Sequence, residues 1–149
     1  MAMPSIDFYI LPGSTVASYL DVTCRLVDKA YQQKHRVYIY TDHRPLASQI
    51  DAQLWLFDEA SFLPHQLTTE KLTLPVPIQI GYDAPSEDQC DILVNLSSRV
   101  PTFYAQFNRI LEIVIGDPDA QALGRERYRF YRTHDLEITT HKLQTTLSL

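Results

Sequence analysis

Apolar and polar positions in this chain switch between a strand-like and a helix-like period, and the switches mark its elements. Ser5 to Leu11 (SIDFYIL) is a nearly continuous apolar run of strand length, closed by Pro12, Gly13, Ser14 and Thr15. A helix follows, with Ser14 or Thr15 as N-cap and Val16, Leu20, Thr23, Val27, Ala30 and Tyr31 at three- and four-residue steps. Lys34, His35 and Arg36 supply cations at its C-terminal end. Val37 to Thr41 (VYIYT) is β-branched and aromatic, a buried strand. Asp42 can cap a second helix that carries Leu46, Ile50, Leu54 and Trp55 on one side. Strand, helix, strand, helix in this order is the pattern of a parallel βαβ layer.

The pattern then loosens. Residues 57–75 mix large apolar side chains with breakers and read as a loop docked by its aromatics. Val76 to Tyr82 is a further strand, flanked at its start by Pro75 and Pro77, which suits a strand beginning or a sheet edge. Cys90 to Leu96 is a central strand, and Pro101 opens a short helix through Phe107. Arg109 to Ile115 (RILEIVI) is a fifth strand, and Asp117-Pro118 starts a last helix that runs to about Thr133. The Thr-rich segment 136–149 reads as a partly ordered tail, although Leu136, Ile138 and Leu143 can dock. These elements predict one α/β domain over 1–149: a mostly parallel twisted sheet of five or more strands with helices on both faces.

Composition narrows the chemistry. At 149 residues, 45% apolar and 21% charged, the chain suits one globular domain. No apolar run is long enough to cross a bilayer, and the N-terminus carries no secretory pattern, so a cytoplasmic protein is expected. Cys24 and Cys90 sit in apolar segments rather than in a paired spacing, which fits buried thiols. The four glycines, Gly13, Gly81, Gly116 and Gly124, lie at least eight residues apart. A phosphate cradle needs several within one turn, so neither G-x-x-x-x-G-K-[ST] nor G-x-G-x-x-G can be written and no nucleotide cofactor is expected. The five histidines lack metal-ligand spacing, Ser97-Ser98 lacks a nucleophile elbow, and no carboxylate pair suits Mg²⁺. No catalytic residue, metal or cofactor is assigned.

One segment is unusual. Arg125, Arg127, Arg129 and Arg132 fall within eight positions, giving that window a charge of +3 and leaving −8 for the rest of a chain whose net charge is −5. At about 100° per residue, Arg125, Tyr128, Arg129 and Arg132 share one sector of the helix. Leu123, Phe130 and Tyr131 then fall on the side expected to face the core. Such a stripe is either a solvated helix face or a site for an anion or acidic peptide. A globally acidic protein repels a long polyanion beyond the Debye length of about 8–10 Å, which favours a short acidic segment over a duplex.

Three segments together resemble the chi subunit family of bacterial DNA polymerase III. They are the block from Leu54-Trp55 to Ser61-Phe62-Leu63-Pro64-His65, the strand Asp91 to Leu96, and above all Arg125-Glu126-Arg127-Tyr128-Arg129-Phe130-Tyr131-Arg132. The opening strand adds to the likeness, which runs from Met3 to about Lys142. The resemblance implies a non-catalytic accessory subunit of the clamp loader, with a Rossmann-like sheet that lacks the phosphate-binding loop, in agreement with the glycine count. Such a protein pairs with the psi subunit and holds the acidic, apolar-ended C-terminal tail of single-stranded-DNA-binding protein, so its association with single-stranded DNA is indirect and involves no membrane. Carried over by position, the tail-binding residues would be Arg125, Tyr128, Arg129 and Arg132, with Trp55 and Phe62 as an apolar side and Val114 as a further wall. Position 129 is Arg where Lys is familiar, so a planar fork replaces a point charge. Two alternatives stay open: a module that binds single-stranded nucleic acid directly, and a degenerate nucleotide-binding or nuclease-like enzyme.

Overall fold

The computed structural model describes residues 4–13, 16–42, 44–56, 65–67, 77–81 and 91–143, with backbone alone at 16–18, 44, 55, 56 and 65–67. Among these described residues eleven elements follow in order. The strands are β1 (Ser5–Ile10), β2 (Val37–Tyr40), β3 (His65–Leu67), β4 (Ile78–Gly81), β5 (Ile92–Asn95), β6 (Arg109–Val114) and β7 (Ile138–Lys142). The helices are α1 (Val16–Gln32), α2 (Arg44–Leu56) and α3 (Pro118–Thr133), and a single 3-10 turn covers Tyr104–Gln106. The seven strands form one sheet in the order β3-β4-β2-β5-β6-β1-β7, and every pairing is parallel. The parallel α/β reading therefore holds. The first two strands nevertheless are not neighbours, because β5 and β6 insert between them.

Each sheet face carries its own apolar cluster. On one face α1 and α2 lay Val22, Leu26, Val27, Ile50 and Leu54 against Val37, Ile39, Ile80, Val94 and Leu111. On the other, α3 and the 3-10 turn bring Tyr131, Phe103 and Phe107 over Ile6, Phe8, Tyr38, Leu93 and Ile110. Strands covered on both faces have little room for polar alternation, which is why β4 and β5 are buried at every position.

Three expectations are corrected. The segment after α3, expected as a partly ordered tail, docks through Leu136, Ile138 and Leu143 as read but does so as a strand: Ile138–Lys142 pairs with β1, and the Leu143 N–H continues the ladder to the Ile10 carbonyl at 2.9 Å. Its threonines are β-branched residues suited to a strand that lies half-exposed at a sheet edge. The expected helix from Pro101 to Phe107 is only one 3-10 turn, aimed so that Phe103 and Phe107 plug the core. Within the expected loop 57–75, His65–Leu67 forms the opposite edge strand, and the rest of that segment lies outside the described residues. The expected caps Ser14 and Thr15 also lie outside them, while the Asp42 carboxylate accepts from the Ser98 hydroxyl at 3.2 Å.

Candidate functional site

The rotation of α3 about its own axis is set by a buried charge. Glu112, in the middle of β6, has no solvent exposure, and its carboxylate accepts three hydrogen bonds: from Arg127 Nε at 2.8 Å, Asn95 Nδ2 at 2.8 Å and Tyr131 Oη at 2.5 Å. Arg127 also donates to the Ser98 carbonyl at 3.2 Å. Burial pushes the Glu112 carboxyl above the ordinary carboxylate range, and Arg127 with the Asn95 and Tyr131 donors pulls it back down. Burial and the neighbouring Glu112 charge together raise the Tyr131 phenol, so it stays a donor. Arg127 thus belongs to the core, and the four-arginine run presents three cations to solvent.

Because Arg127 and Tyr131 must point at β6, the helix turns Gly124 toward the sheet and Leu123 away from it. Leu123, expected in the core, is 38% exposed. Gly124 is buried against Val114, and a Cβ added there would meet Val114 Cγ2 at 3.0 Å. The absent side chain lets α3 lie close to β6, at a cost of about 1 kcal/mol in helix propensity relative to alanine.

This rotation opens a groove of about 580 Å³ between α3 and the outer part of the sheet. Phe8 and Ile10 of β1, Val114 of β6 and Gly124 make an apolar floor. Gln121, Arg125 and Tyr128 form the α3 rim, and Thr140 and Lys142 of β7 form the other. Tyr128 leans its ring on Phe8 with centroids 5.6 Å apart. Among the described residues no acidic side chain lines the groove, although the chain as a whole is acidic. An apolar trough with a cation on each rim can hold a ligand that is apolar at one point and anionic beside it.

The structure therefore gathers Arg125, Tyr128 and Val114 of the expected site. Arg129 and Arg132 are exposed farther along α3 and do not line the groove. At about 100° per residue Arg132 lies on the groove side of the helix and Arg129 is turned farther out. Trp55 sits on α2, which packs on α1, β3 and β4 on the opposite sheet face, so its helix does not border this groove. The side chain of Trp55 and the whole of Phe62 lie outside the described residues. Phe8, Ile10 and Lys142 went unseen in the sequence. The first two read as generic strand residues, and Lys142 lay in the supposed tail.

A second place where parallel sheets often bind ligands is the crevice at the carboxyl ends of strands whose helices diverge to opposite faces. Here that place is β1 beside β6, and the two following loops meet directly: the Gly116 N–H donates to the Gly13 carbonyl at 2.8 Å. A Cβ on Gly116 would lie 3.0 Å from the Pro12 carbonyl oxygen. Among the described residues no cluster of His, Cys, Asp or Glu is arranged to hold a metal ion, and no helix is long and apolar enough to cross a membrane.

Comparison with known proteins agrees with the motif on α3. The profile of the family described as DNA polymerase III chi subunit, HolC, matches residues 3–139. The DNA polymerase III subunit chi of Pseudomonas aeruginosa is 33% identical over 141 residues, covering 95% of this chain and 98% of that protein. Those of Haemophilus influenzae and Escherichia coli are 29% and 27% identical, covering 92% and 93% of this chain and 96% and 97% of theirs. With the match spanning nearly all of the sheet and α3, the chain belongs to the DNA polymerase III chi subunit family.

Proposed function

We propose that this chain is a non-catalytic replisome adaptor in the cytoplasm, which pairs with the psi subunit and uses the α3–β7 groove to hold the acidic C-terminal tail of single-stranded-DNA-binding protein. The observation that carries the reading is the groove's make-up: an apolar floor with Arg125 and Lys142 on opposite rims and, among the described residues, no carboxylate in its lining. A tail that ends in an apolar residue fills the floor with that side chain. Its acidic residues then run along α3 toward Arg129 and Arg132, which act as an outer electrostatic strip. Tyr128 closes one side, with its ring already braced on Phe8. In this reading Phe8, Ile10 and Val114 do the apolar work that the resemblance gave to Trp55 and Phe62.

Much of the attraction comes from exposed charges, so binding is modest and salt-sensitive. Outside the Arg125–Arg132 window the chain carries −8, so a long phosphate backbone meets repulsion on either side of the basic strip. A peptide end avoids that repulsion by finishing inside the groove. Fluorescence anisotropy tests the reading with three samples: bare single-stranded DNA, DNA coated with intact single-stranded-DNA-binding protein, and DNA coated with that protein lacking its final residues. Recruitment to the second sample alone is expected. Tight binding to bare DNA, or recruitment that survives tail removal, overturns the adaptor in favour of direct nucleic-acid contact.

A further inference from the structure

We infer that His141 is a positioning residue for the groove: tied to Asp7 and stacked on Tyr9 on the opposite face of the sheet, it latches β7 to β1 and so keeps the β7 wall standing. The inference rests on the tail-binding reading above for its effect on affinity, while the latch itself is measured without any peptide.

β7 needs such a device. It is an edge strand of Thr-rich sequence, every residue of which is exposed or half-buried, and among the described residues its backbone pairs with β1 alone. A ladder open to water on one side contributes little by itself and is where a sheet frays first. The pleat divides its side chains: Thr140 and Lys142 line the groove, and His141, between them, points to the other face. There the His141 ring stacks on Tyr9, its register partner on β1, with centroids 4.6 Å apart and planes 12° from parallel. Its Nε2 lies 3.0 Å from Asp7 Oδ1.

Asp7 makes this contact firm. It sits on β1 between the two neighbouring strands, and its other oxygen accepts from Arg109 Nε of β6 at 2.7 Å. One carboxylate therefore ties β6, β1 and β7 together across the sheet. At 8% exposure Asp7 has little water to replace a lost partner, so its bond to His141 is worth more than an ion pair in open solvent. Burial and the Asp7 charge raise the Tyr9 phenol, which keeps the ring beneath His141 neutral. On the groove side the floor residues Phe8, Ile10 and Val114 belong to β1 and β6 and stand without the latch. Only the β7 rim depends on it. Releasing His141 frees Thr140 and Lys142 together, because they are its two chain neighbours.

The test uses the full chain and two measurements, amide hydrogen exchange followed by NMR and calorimetric titration with a short Asp-rich peptide ending in Phe. The Leu143 N–H bonds to β1, and by the alternation of a parallel ladder those of Thr139 and His141 do the same. In His141→Ala these three amides should exchange about tenfold faster, the equivalent of one hydrogen bond to a charged group, while the amides between β1 and β6 keep their protection. The peptide should bind about threefold more weakly, because the wall is in place for a smaller fraction of the time. His141→Gln keeps a donor that reaches Asp7 and should recover most of both losses. Wild-type protection of β7 in His141→Ala overturns the latch, as does faster exchange spread over the whole sheet. Faster exchange in β7 with unchanged peptide affinity overturns the positioning role and leaves tail binding intact. If wild-type protein binds no peptide, the tail-binding reading falls and takes the positioning role with it, and the exchange rates still decide the latch.

Discussion

Arg125 and Arg127 stand two residues apart in the same basic run, and replacing each by methionine should have opposite consequences. Arg125 is exposed on the groove rim, whereas Arg127 is 6% exposed and bonded to a fully buried Glu112. Arg127→Met leaves that carboxylate with Asn95 and Tyr131 but without its countercharge. Breaking a buried pair in this way costs about 3–5 kcal/mol, a large fraction of the roughly 5–15 kcal/mol that holds an ordinary domain folded. Arg125→Met should change stability by no more than about 0.5 kcal/mol. The Arg127→Met deficit should also depend on pH. In the folded chain Glu112 is already pushed above its unfolded value, which is about 4.3. A group raised in this way supports folding fully below its unfolded pKa and loses that support as pH rises through the folded one. Removing Arg127 takes away the charge that lowers it, so the folded value climbs further and the deficit should be larger near pH 8 than near pH 5. Urea unfolding followed by circular dichroism at both pH values measures this. A second variant, Arg127→Met with Glu112→Gln, should recover most of the loss at pH 8. Equal deficits at the two arginines, or an Arg127→Met deficit that ignores pH, would refute the assignment of Glu112 as the group that orients α3.

Arg125→Ala should weaken the acidic tail peptide by about 1.5–3 kcal/mol, the range for hydrogen bonds to charged groups, with the melting temperature unchanged. Calorimetry across a salt series should show that deficit shrinking as salt screens the same contact in the wild type. Gly124→Ala adds a Cβ 3.0 Å from Val114 Cγ2 on a β-branched side chain with little freedom to move. Overpacking should exceed the gain of about 1 kcal/mol in helix propensity. The variant should therefore unfold at lower urea and bind the peptide more weakly, as α3 shifts off β6. Trp55→Ala separates two apolar sides: unchanged affinity is expected because α2 packs on the face opposite α3, and a large loss in the titration would restore Trp55 to the tail site.

The periodicity of the chain by itself determined the fold class and most of its elements. Long apolar runs such as those of β5 and β6 suit strands covered on both faces, and the Asp117-Pro118 start of α3 is visible because capping chemistry is local: the Asp117 carboxylate accepts from the Ala120 N–H at 3.1 Å. The spaced glycines likewise excluded a phosphate loop without reference to any contact. The strand order, in which β5 and β6 separate β1 from β2, is a matter of long-range pairing that no local pattern encodes. The segment 138–142 became a strand only because β1 offered it an open edge and Asp7 a partner for His141. A Thr-rich stretch without that neighbour has no reason to order. The helical wheel already separated Arg125, Tyr128, Arg129 and Arg132 from Arg127, but it turned Leu123 toward the core, where the structure leaves it exposed. What a wheel cannot give is the helix's rotation against the sheet, because it does not know that the strand beneath carries a carboxylate. Glu112 on β6 decided it, by making the burial of Arg127 less costly than its exposure and thereby turning Arg125 and Tyr128 toward Lys142.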